Sequence, residues 1–187
     1  MSASESNTTN LVRLYYDQAK TLIYEEYFKV DGKCEGPYKT YYKNGNPSII
    51  TNYINDKLDG EYREYYRNGE LKIISRFNSG KIEGESRDYY DNGQIMKITN
   101  YKNGKLEGEN RNYLGTGRLY SLYNYKDGEK DGEGIEYYPT GNIKEITNYK
   151  NGKKDGKYIT YHENGELCLT AEYLEDKLIS QSGEILE

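Results

Sequence analysis

The sequence has few of the side chains from which a thick apolar core is built. It contains no tryptophan and only two phenylalanines, and hydrophobic residues make up 34% of the chain. Tyrosine is the dominant aromatic residue, with 24 of 187 positions. Because a tyrosine ring must keep its hydroxyl near water or a hydrogen-bond partner, this composition favours a thin, exposed sheet over a compact two-layer domain.

Long hydrophobic runs and an excess of basic residues are also missing. No stretch of 18 apolar residues occurs, and the first ten residues are polar, so we expect neither a transmembrane segment nor a signal peptide. The net charge of −5 argues against nucleic acid as a partner, since nucleic-acid binding normally requires a basic surface. The expected location is intracellular and cytoplasmic.

The two cysteines, Cys34 and Cys168, are far apart in the sequence. If the chain stacks as repeats of two strands each, the two thiols lie on the order of 50 Å apart, given about 4.8 Å between strands. A disulfide requires Cα atoms within about 7 Å. The sequence therefore predicts separate thiols, which is typical of a reducing compartment.

A 24-residue repeat is the main feature that is present. Six consecutive repeats begin at Gly36, Gly60, Gly84, Gly108, Gly132 and Gly156, and that glycine is position 1 of each repeat. Position 6 is always tyrosine, position 10 is always glycine and position 18 is always aromatic. Such regularity predicts a stack of equivalent units.

The repeats lie inside a longer predicted organisation. Residues 1–11 are predicted to be a flexible polar segment, and residues 12–35 a degenerate repeat that caps the stack. Residues 36–179 contain the six regular repeats, and residues 180–187 begin an incomplete one. Terminal repeats are commonly atypical because they face water.

Each repeat is expected to contain two strands, at positions 2–7 and about 11–18, rich in tyrosine, isoleucine and threonine. The variant Pro139-Thr140-Gly141 favours a three-residue loop between them, because a type I turn followed by a left-handed glycine accepts this order. This register pairs position 6 with position 12. It also predicts that positions 6 and 18 share one face, with positions 7 and 15 on the other. The register of the second connection, at positions 20 to 24, is left open.

The residues that carry this pattern resemble the MORN-repeat family, in particular its 24-residue variant form. The segment Tyr101–Gly108 (Tyr-Lys-Asn-Gly-Lys-Leu-Glu-Gly) is close to the core of that repeat. The resemblance implies an all-β fold, an elongated and twisted single-layer antiparallel sheet of stacked hairpins. It also implies mainly protein contacts; some relatives are linked to membranes, and some relatives of the variant form are named as bacterial antitoxins.

No catalytic, cofactor or metal constellation is recognised. His162, the only histidine, stands at position 7, where four other repeats have tyrosine, and lacks partners for catalysis or metal binding. Asp127, Glu129 and Asp131 faintly match a calcium loop, but its twelfth position is Tyr138 instead of glutamate. The sequence therefore predicts a protein that is not an enzyme and needs no cofactor.

Charged residues recur in rows. Glutamates at position 2 and cations at position 4 are interpreted as a solvated face with cross-strand charge pairing. The alternative is a stripe that binds an anionic surface such as a phospholipid membrane. Its residues are Lys39, Arg63, Arg87, Arg111, Lys57, Lys81, Lys105, Lys153 and Lys177.

The tyrosine rows are the preferred functional candidate, because tyrosine offers a large, rigid contact area at low entropic cost. We expect a non-enzymatic scaffold that binds a protein partner, or a second copy, through these rows; an antitoxin-like protein that neutralises a toxin is a further alternative. The candidate contact face consists of Tyr41, Tyr65, Tyr89, Tyr113, Tyr137 and Tyr161 at position 6, and of Tyr53, Phe77, Tyr101, Tyr125, Tyr149 and Tyr173 at position 18.

Overall fold

The computed structural model describes residues 9–183, which form β-strands and connecting turns without a helix. Residues 1–8 and 184–187, parts of the predicted flexible segment and of the incomplete repeat, lie outside the described residues. The internal contacts divide the chain into two compact halves, residues 1–93 and 94–187. Within 9–183, no helix is long and apolar enough to cross a membrane.

The described part of the first half, from residue 9 to residue 93, contains nine strands. They are β1 (Thr9–Tyr15), β2 (Ile23–Val30), β3 (Lys33–Tyr41), β4 (Pro47–Ile54), β5 (Lys57–Leu58), β6 (Gly60–Tyr65), β7 (Leu71–Asn78), β8 (Lys81–Ile82) and β9 (Gly84–Tyr89). The long strands pair antiparallel in chain order, and the short strands β5 and β8 pair with the strands that precede them.

The second half follows the same plan, with nine further strands between residues 94 and 183. They are β10 (Ile95–Lys102), β11 (Lys105–Leu106), β12 (Gly108–Tyr113), β13 (Leu119–Lys126), β14 (Glu129–Tyr137), β15 (Ile143–Lys150), β16 (Lys153–Tyr161), β17 (Leu167–Leu174) and β18 (Lys177–Gly183). Each long strand again pairs antiparallel with the next. The predicted fold class, an all-β antiparallel sheet of stacked hairpin repeats, is confirmed.

The first connection of each repeat is the predicted three-residue loop. In the second repeat, the amide of Gly69 donates to the carbonyl of Tyr66 at 2.9 Å, and the amide of Tyr66 donates to Glu70 at 2.8 Å. Gly69 has a φ of 95°, which is the left-handed conformation required at the end of this loop. Tyr65 pairs with Leu71, so the predicted register of positions 6 and 12 is confirmed.

The second connection, left open above, is a two-residue turn. Both of its residues have positive φ, as in Asn103 (53°) followed by Gly104 (82°). This is a type I′ turn, whose twist matches that of the flanking strands. Position 18 then pairs with position 23, as in Tyr101 with Leu106.

The invariant glycine at position 1 marks an irregularity in the strand that follows the turn. Tyr53 pairs with Leu58, but Ile50 pairs with Arg63, so the later strand has two extra residues between these pairs. Gly60 lies there with a φ of 93°. An L-residue is strained at such angles, which explains why glycine recurs at this position.

The buried core consists of small and mostly polar side chains. Among residues 9–183, the buried residues are Thr51, Ser75, Ser86, Thr99, Asn110, Ser121, Thr147 and Ala171. Their polar groups find partners within the sheet; for example, the hydroxyls of Ser75 and Ser86 lie 2.6 Å apart. Tyrosine rings of the same face cover this row, so a layer of rings over small residues replaces an apolar interior.

Tyrosine hydroxyls at position 7 connect several repeats to the repeat that follows. The hydroxyl of Tyr42 donates to the carbonyl of Tyr65 at 2.7 Å, and that of Tyr66 donates to the carbonyl of Tyr89 at 2.7 Å. Tyr138 makes the same bond to Tyr161 at 2.9 Å. These bonds explain part of the tyrosine content, because the chain satisfies the hydroxyls internally.

Candidate protein-contact surfaces

The two faces of the sheet differ in chemistry. We call the ring face the one that carries positions 3, 16, 18 and 23, and the isoleucine face the one that carries positions 2, 4, 6 and 15. The register fixes this division, because cross-strand partners share a face and neighbours along a strand alternate. In the second repeat, Tyr62 pairs with Ser75 on the ring face, and Arg63 pairs with Ile74 on the isoleucine face.

The prediction that positions 6 and 18 share a face is wrong. Phe77 pairs with Gly60, and Tyr65 lies five residues after Gly60 in the same strand, so the side chains of Tyr65 and Phe77 point to opposite faces. The ring of Phe77 instead contacts that of Tyr62, with centroids 5.8 Å apart. The count of alternating residues failed because the loop ends in a bulge, where Lys72 is an extra residue between Leu71 and Ile73.

The prediction for positions 7 and 15 is wrong for the same reason. Ile74 lies on the isoleucine face, opposite Arg63. The ring of Tyr66 lies beside the ring face, because Lys72 Nζ is 5.9 Å from its centroid and also 2.6 Å from a carboxylate oxygen of Glu64. The candidate contact residues therefore divide into a position-6 row on the isoleucine face and a position-18 row on the ring face.

The ring face is occupied by its own contacts. The rings of Tyr38 and Tyr53 lie 5.2 Å apart, and those of Tyr158 and Tyr173 lie 5.7 Å apart. The hydroxyl of Tyr38 donates to Glu25 at 2.7 Å. Burial, and then this bond, raises the pKa of Tyr38 well above its ordinary value. Side chains with so many internal partners are held in place to stabilise the sheet.

A charged cluster lies on the ring face of the second half. The carboxylates of Glu136 and Glu145 are cross-strand neighbours, and each accepts a tyrosine hydroxyl, from Tyr123 at 2.6 Å and Tyr158 at 3.1 Å. Lys130 Nζ lies 3.4 Å from the ring centroid of Tyr123. Burial lowers the pKa of Lys130, and the rings and glutamates offset the cost of holding its charge there.

The charged rows of the isoleucine face pair along each strand, not across strands as predicted. Arg63 Nη2 lies 2.7 Å from Glu61, and Arg87 Nη2 lies 2.6 Å from Glu85; Arg111 pairs with Glu109 in the same way. These residues are two apart in one strand and therefore point to the same face. The pKa of Arg87 is raised by its hydrogen bond to Glu85 and by the charge of Glu85.

The lysines at position 22 lie at the type I′ turns, where some of them face acidic residues. Lys105 lies 3.6 Å from Asp127, and Lys153 lies 3.7 Å from Glu175. All these pairs are exposed, so each contributes little to stability. They nevertheless reduce the positive potential that the predicted anionic-surface stripe would present.

Residues considered for catalysis or metal binding take ordinary positions in the loops. The amide of His162 donates to Glu166 at 2.8 Å in the three-residue loop. Asp131 accepts the amide hydrogen of Asn151 at 3.3 Å, and the carboxylate of Asp127 faces Lys105. Within residues 9–183, no group of three or more histidine, cysteine or acidic side chains is arranged to hold a metal ion.

Sequence reasoning missed an aliphatic row on the isoleucine face of the second half. Leu122 pairs with Ile135, Ile135 with Ile146, and Ile146 with Ile159, so four aliphatic side chains lie side by side on adjacent strands. In the first half, the corresponding row alternates isoleucine with cations, as in Arg63, Ile74 and Arg87. The signal in the sequence is the change at position 4 from arginine to isoleucine in the last two repeats.

The geometry defines a protein of stacked β-hairpin repeats. The pattern of the family described as MORN repeat variant matches residues 35–55, 58–79, 82–103, 130–151 and 154–175, more than half of the chain. The chain belongs to this family. The unmatched repeat between these segments keeps the same register, with Tyr113 paired with Leu119.

Other comparisons add no argument about function. No curated protein matches the sequence. A similar solved structure is titled "Crystal Structure of TcdB2-TccC3-Cdc42"; the alignment is 12% identical and covers 92% of this chain and 13% of the other, with a TM-score of 0.19. The chain thus spans a small part of that structure, and the likeness is too weak to support an inference.

Proposed function

We propose that the chain is a non-enzymatic scaffold that binds a protein partner through the isoleucine face of its sheet. The observation that carries this proposal is the difference between the two faces. Tyrosines of the ring face have their rings and hydroxyls engaged within the sheet, as Tyr38 and Tyr123 show. The isoleucine face instead presents aliphatic side chains and half-buried tyrosines at position 6.

The composition of this face is typical of a protein interface. Tyr65 and Ile74 provide rigid apolar area, and Arg63 and Arg87 lie beside them with glutamate partners. Aromatic residues and arginine are enriched in interfaces, and tyrosine loses little side-chain entropy when it is covered. The ion pairs Glu61–Arg63 and Glu85–Arg87 present charges of both signs, which suits a bound protein with complementary charges.

Membrane binding and an antitoxin role have less structural support than protein binding. An anionic membrane would need free cations, whereas Arg63, Arg87 and Arg111 are each paired with glutamate. An antitoxin role would be one instance of partner binding, and the surface described here is compatible with it. A cytoplasmic location is part of the proposal, supported by the polar composition of the chain and by the separate thiols of Cys34 and Cys168.

The test is to isolate a partner from native material, purify it and measure its binding to the wild-type protein and to the variant Tyr65→Ala/Tyr89→Ala. Loss of two central tyrosines from an interface is expected to weaken binding by at least about tenfold. Isothermal titration calorimetry would give the affinity, and thermal unfolding would show that the variant stays folded.

The matched control is Tyr120→Ala. Tyr120 is 41% exposed and occupies position 13, outside the isoleucine face, so its removal should leave the affinity unchanged. If the double variant binds the partner as tightly as the wild type, this face is not the contact surface, and the proposal is wrong.

A further inference from the structure

The aliphatic row of the second half is more apolar than the fold requires. Ile135 and Ile159 occupy position 4, and the same position holds arginine in three earlier repeats. Those repeats keep the same register, since Arg63 pairs with Ile74 as Ile135 pairs with Ile146. Folding therefore accepts a charged side chain at this position.

The charged residues at position 2, beside this row, also differ between the earlier and the later repeats. In the second, third and fourth repeats, the glutamate at position 2 is paired with the arginine at position 4. In the fifth repeat, Glu133 has Ile135 in place of that arginine, and the sixth repeat has Lys157 at position 2 instead of glutamate. Among residues 9–183, neither Glu133 nor Lys157 forms a salt bridge.

We propose that this row is the interface of a symmetric dimer, in which a second copy of the chain packs against it face to face. The inference rests on the proposed function, in that the isoleucine face is a contact surface, and it names the occupant of one part of that face. The two-fold axis runs parallel to the strands and passes over Ile146 on the central strand β15.

The charges fit this axis. A two-fold axis along β15 exchanges the neighbouring strands β14 and β16, so each residue of β14 meets the residue at the same repeat position of β16 in the second copy. Ile135 then meets Ile159 of the second copy, and Ile146 meets its own equivalent. Glu133 meets Lys157 of the second copy, so both side chains gain a salt bridge that neither makes within one chain, twice per dimer. The cross-strand neighbour of Lys157, Glu172, forms no salt bridge with it.

The flanking residues fit the same arrangement. Tyr137 on β14 meets Tyr161 on β16 of the second copy, since both stand at position 6. Two sheets packed face to face lie about 10 Å apart, close enough for isoleucine side chains from both copies to interdigitate. Binding of a different protein would not require residues 133 and 157 to carry opposite charges.

The size of the row predicts a weak dimer. Five strands, β13 to β17, at about 4.8 Å spacing and about five residues along each strand cover roughly 400 Å² per copy. The total buried area, about 800 Å² for both copies, is then below the roughly 1,200 Å² of standard specific interfaces and fits only a weak, transient association. We therefore expect an equilibrium between monomer and dimer in the micromolar range, which shifts with concentration.

The first experiment is sedimentation velocity of the full chain from about 1 to 500 μM. The wild type is expected to shift from monomer to dimer over this range. The variant Ile135→Arg/Ile159→Arg, which restores the arginine of the earlier repeats, is expected to stay monomeric with unchanged thermal unfolding. The control Ile54→Arg changes an aliphatic residue of the first half that is 44% exposed, and it should dimerise like the wild type.

The second experiment tests the axis by exchanging charges. Glu133→Lys alone places two lysines against each other, and Lys157→Glu alone places two glutamates against each other, so each single variant should dimerise at least about tenfold more weakly. An equimolar mixture of the two variants restores both opposite-charge contacts in a heterodimer and should recover the wild-type affinity. The double variant Glu133→Lys/Lys157→Glu should also dimerise normally.

A wild type that is monomeric at 500 μM, or a mixture that fails to associate, would overturn the dimer. That result would leave the proposed function standing, because partner binding is tested separately with Tyr65 and Tyr89 in the first half. Conversely, a dimer that forms while the Tyr65→Ala/Tyr89→Ala variant keeps its partner would support the inference and refute the contact surface proposed for the first half.

Discussion

Gly134 shows how closely the rings of the ring face approach the backbone. The equivalent position holds tyrosine, serine or asparagine in other repeats, whereas here the ring of Tyr123 lies over the glycine. A Cβ at Gly134 would be 2.5 Å from Tyr123 Cδ1 and 3.1 Å from Tyr149. The residue is glycine because of this contact, since its φ is not positive.

We therefore expect Gly134→Ala to lower the free energy of unfolding by about 1–3 kcal/mol, as is typical of overpacking. Urea denaturation would measure the change. The matched control is Gly115→Ala, at a glycine where an added Cβ meets nothing within 4 Å and φ is again not positive. This control should be neutral or slightly stabilising, because alanine reduces the entropy of the unfolded chain. Equal effects of the two substitutions would contradict the explanation.

The stability of the protein at alkaline pH should depend on the burial of the ring-face tyrosines. Burial, followed by the nearby carboxylate of Glu64, raises the pKa of Tyr62 to about 12, compared with about 10 in the unfolded chain. Between these two values the unfolded tyrosine has lost its proton while the folded one retains it. The folded state then binds more protons, so the free energy of unfolding falls as pH rises through this window.

Tyr62→Phe removes this contribution. We expect the variant to match the wild type closely at pH 7, because the Tyr62 hydroxyl makes only a long bond of 3.3 Å to Glu64, and to lose less stability between pH 10 and 12. Urea denaturation at pH 7, 9, 10 and 11 would show the divergence. Parallel pH profiles for the two proteins would mean that the Tyr62 hydroxyl titrates at the same pH in the folded and unfolded chains.

At the scale of the elements, the three-residue loop was predictable because its requirements are local. Pro139-Thr140-Gly141 is compatible with a type I turn and a left-handed glycine, and the hydrogen bonds at Tyr138 have this pattern. The distribution of side chains over the two faces was not predictable by counting. One extra residue at the bulge reverses the alternation, and the sequence of Lys72 and its neighbours does not reveal which residue is extra.

The bond between repeats made by position-7 tyrosines can be added where it is missing. Leu114 stands at this position, and its backbone forms the usual loop hydrogen bond to Arg118. We expect Leu114→Tyr to place a hydroxyl against the carbonyl of Tyr137 and to raise the free energy of unfolding by about 0.5–1.5 kcal/mol.

Two comparisons check this expectation by urea denaturation. Leu114→Phe supplies the ring without the hydroxyl and should show no such gain. Tyr66→Phe removes the existing bond to Tyr89 and should lower stability by a similar amount. A Leu114→Phe variant as stable as Leu114→Tyr would mean that the ring, and not the hydrogen bond, connects the repeats.

At the scale of the whole molecule, a constant repeat length makes the repeats interchangeable. Deletion of residues 60–83 joins Asp59 to Gly84, the same kind of junction that every repeat has. After the deletion, β4 pairs with β9 in the register in which it paired with β6. We expect this shortened chain to fold with its β-structure retained and its stability lowered, because one repeat and one interface between repeats are lost.

Circular dichroism and thermal unfolding would test the deletion, and removal of residues 60–71 alone provides the control. This shorter deletion removes β6 and its loop, so it leaves β7 without its hairpin partner. It should therefore unfold the first half or broaden its transition. If both deletions behave alike, the 24-residue unit is not the unit of folding.

The sequence by itself determined the repeat, the strand order and the geometry of the first loop, because these depend on backbone preferences of glycine, asparagine and proline over a few residues. The tertiary structure alone decided which side chains share a face. The single extra residue at Lys72 reverses the alternation of side chains between the two faces, whereas the two extra residues beside Gly60 preserve it. This difference appears only when the strands are paired. For the same reason, the row formed by Leu122, Ile135, Ile146 and Ile159 became visible only in the sheet, where residues from four strands lie side by side.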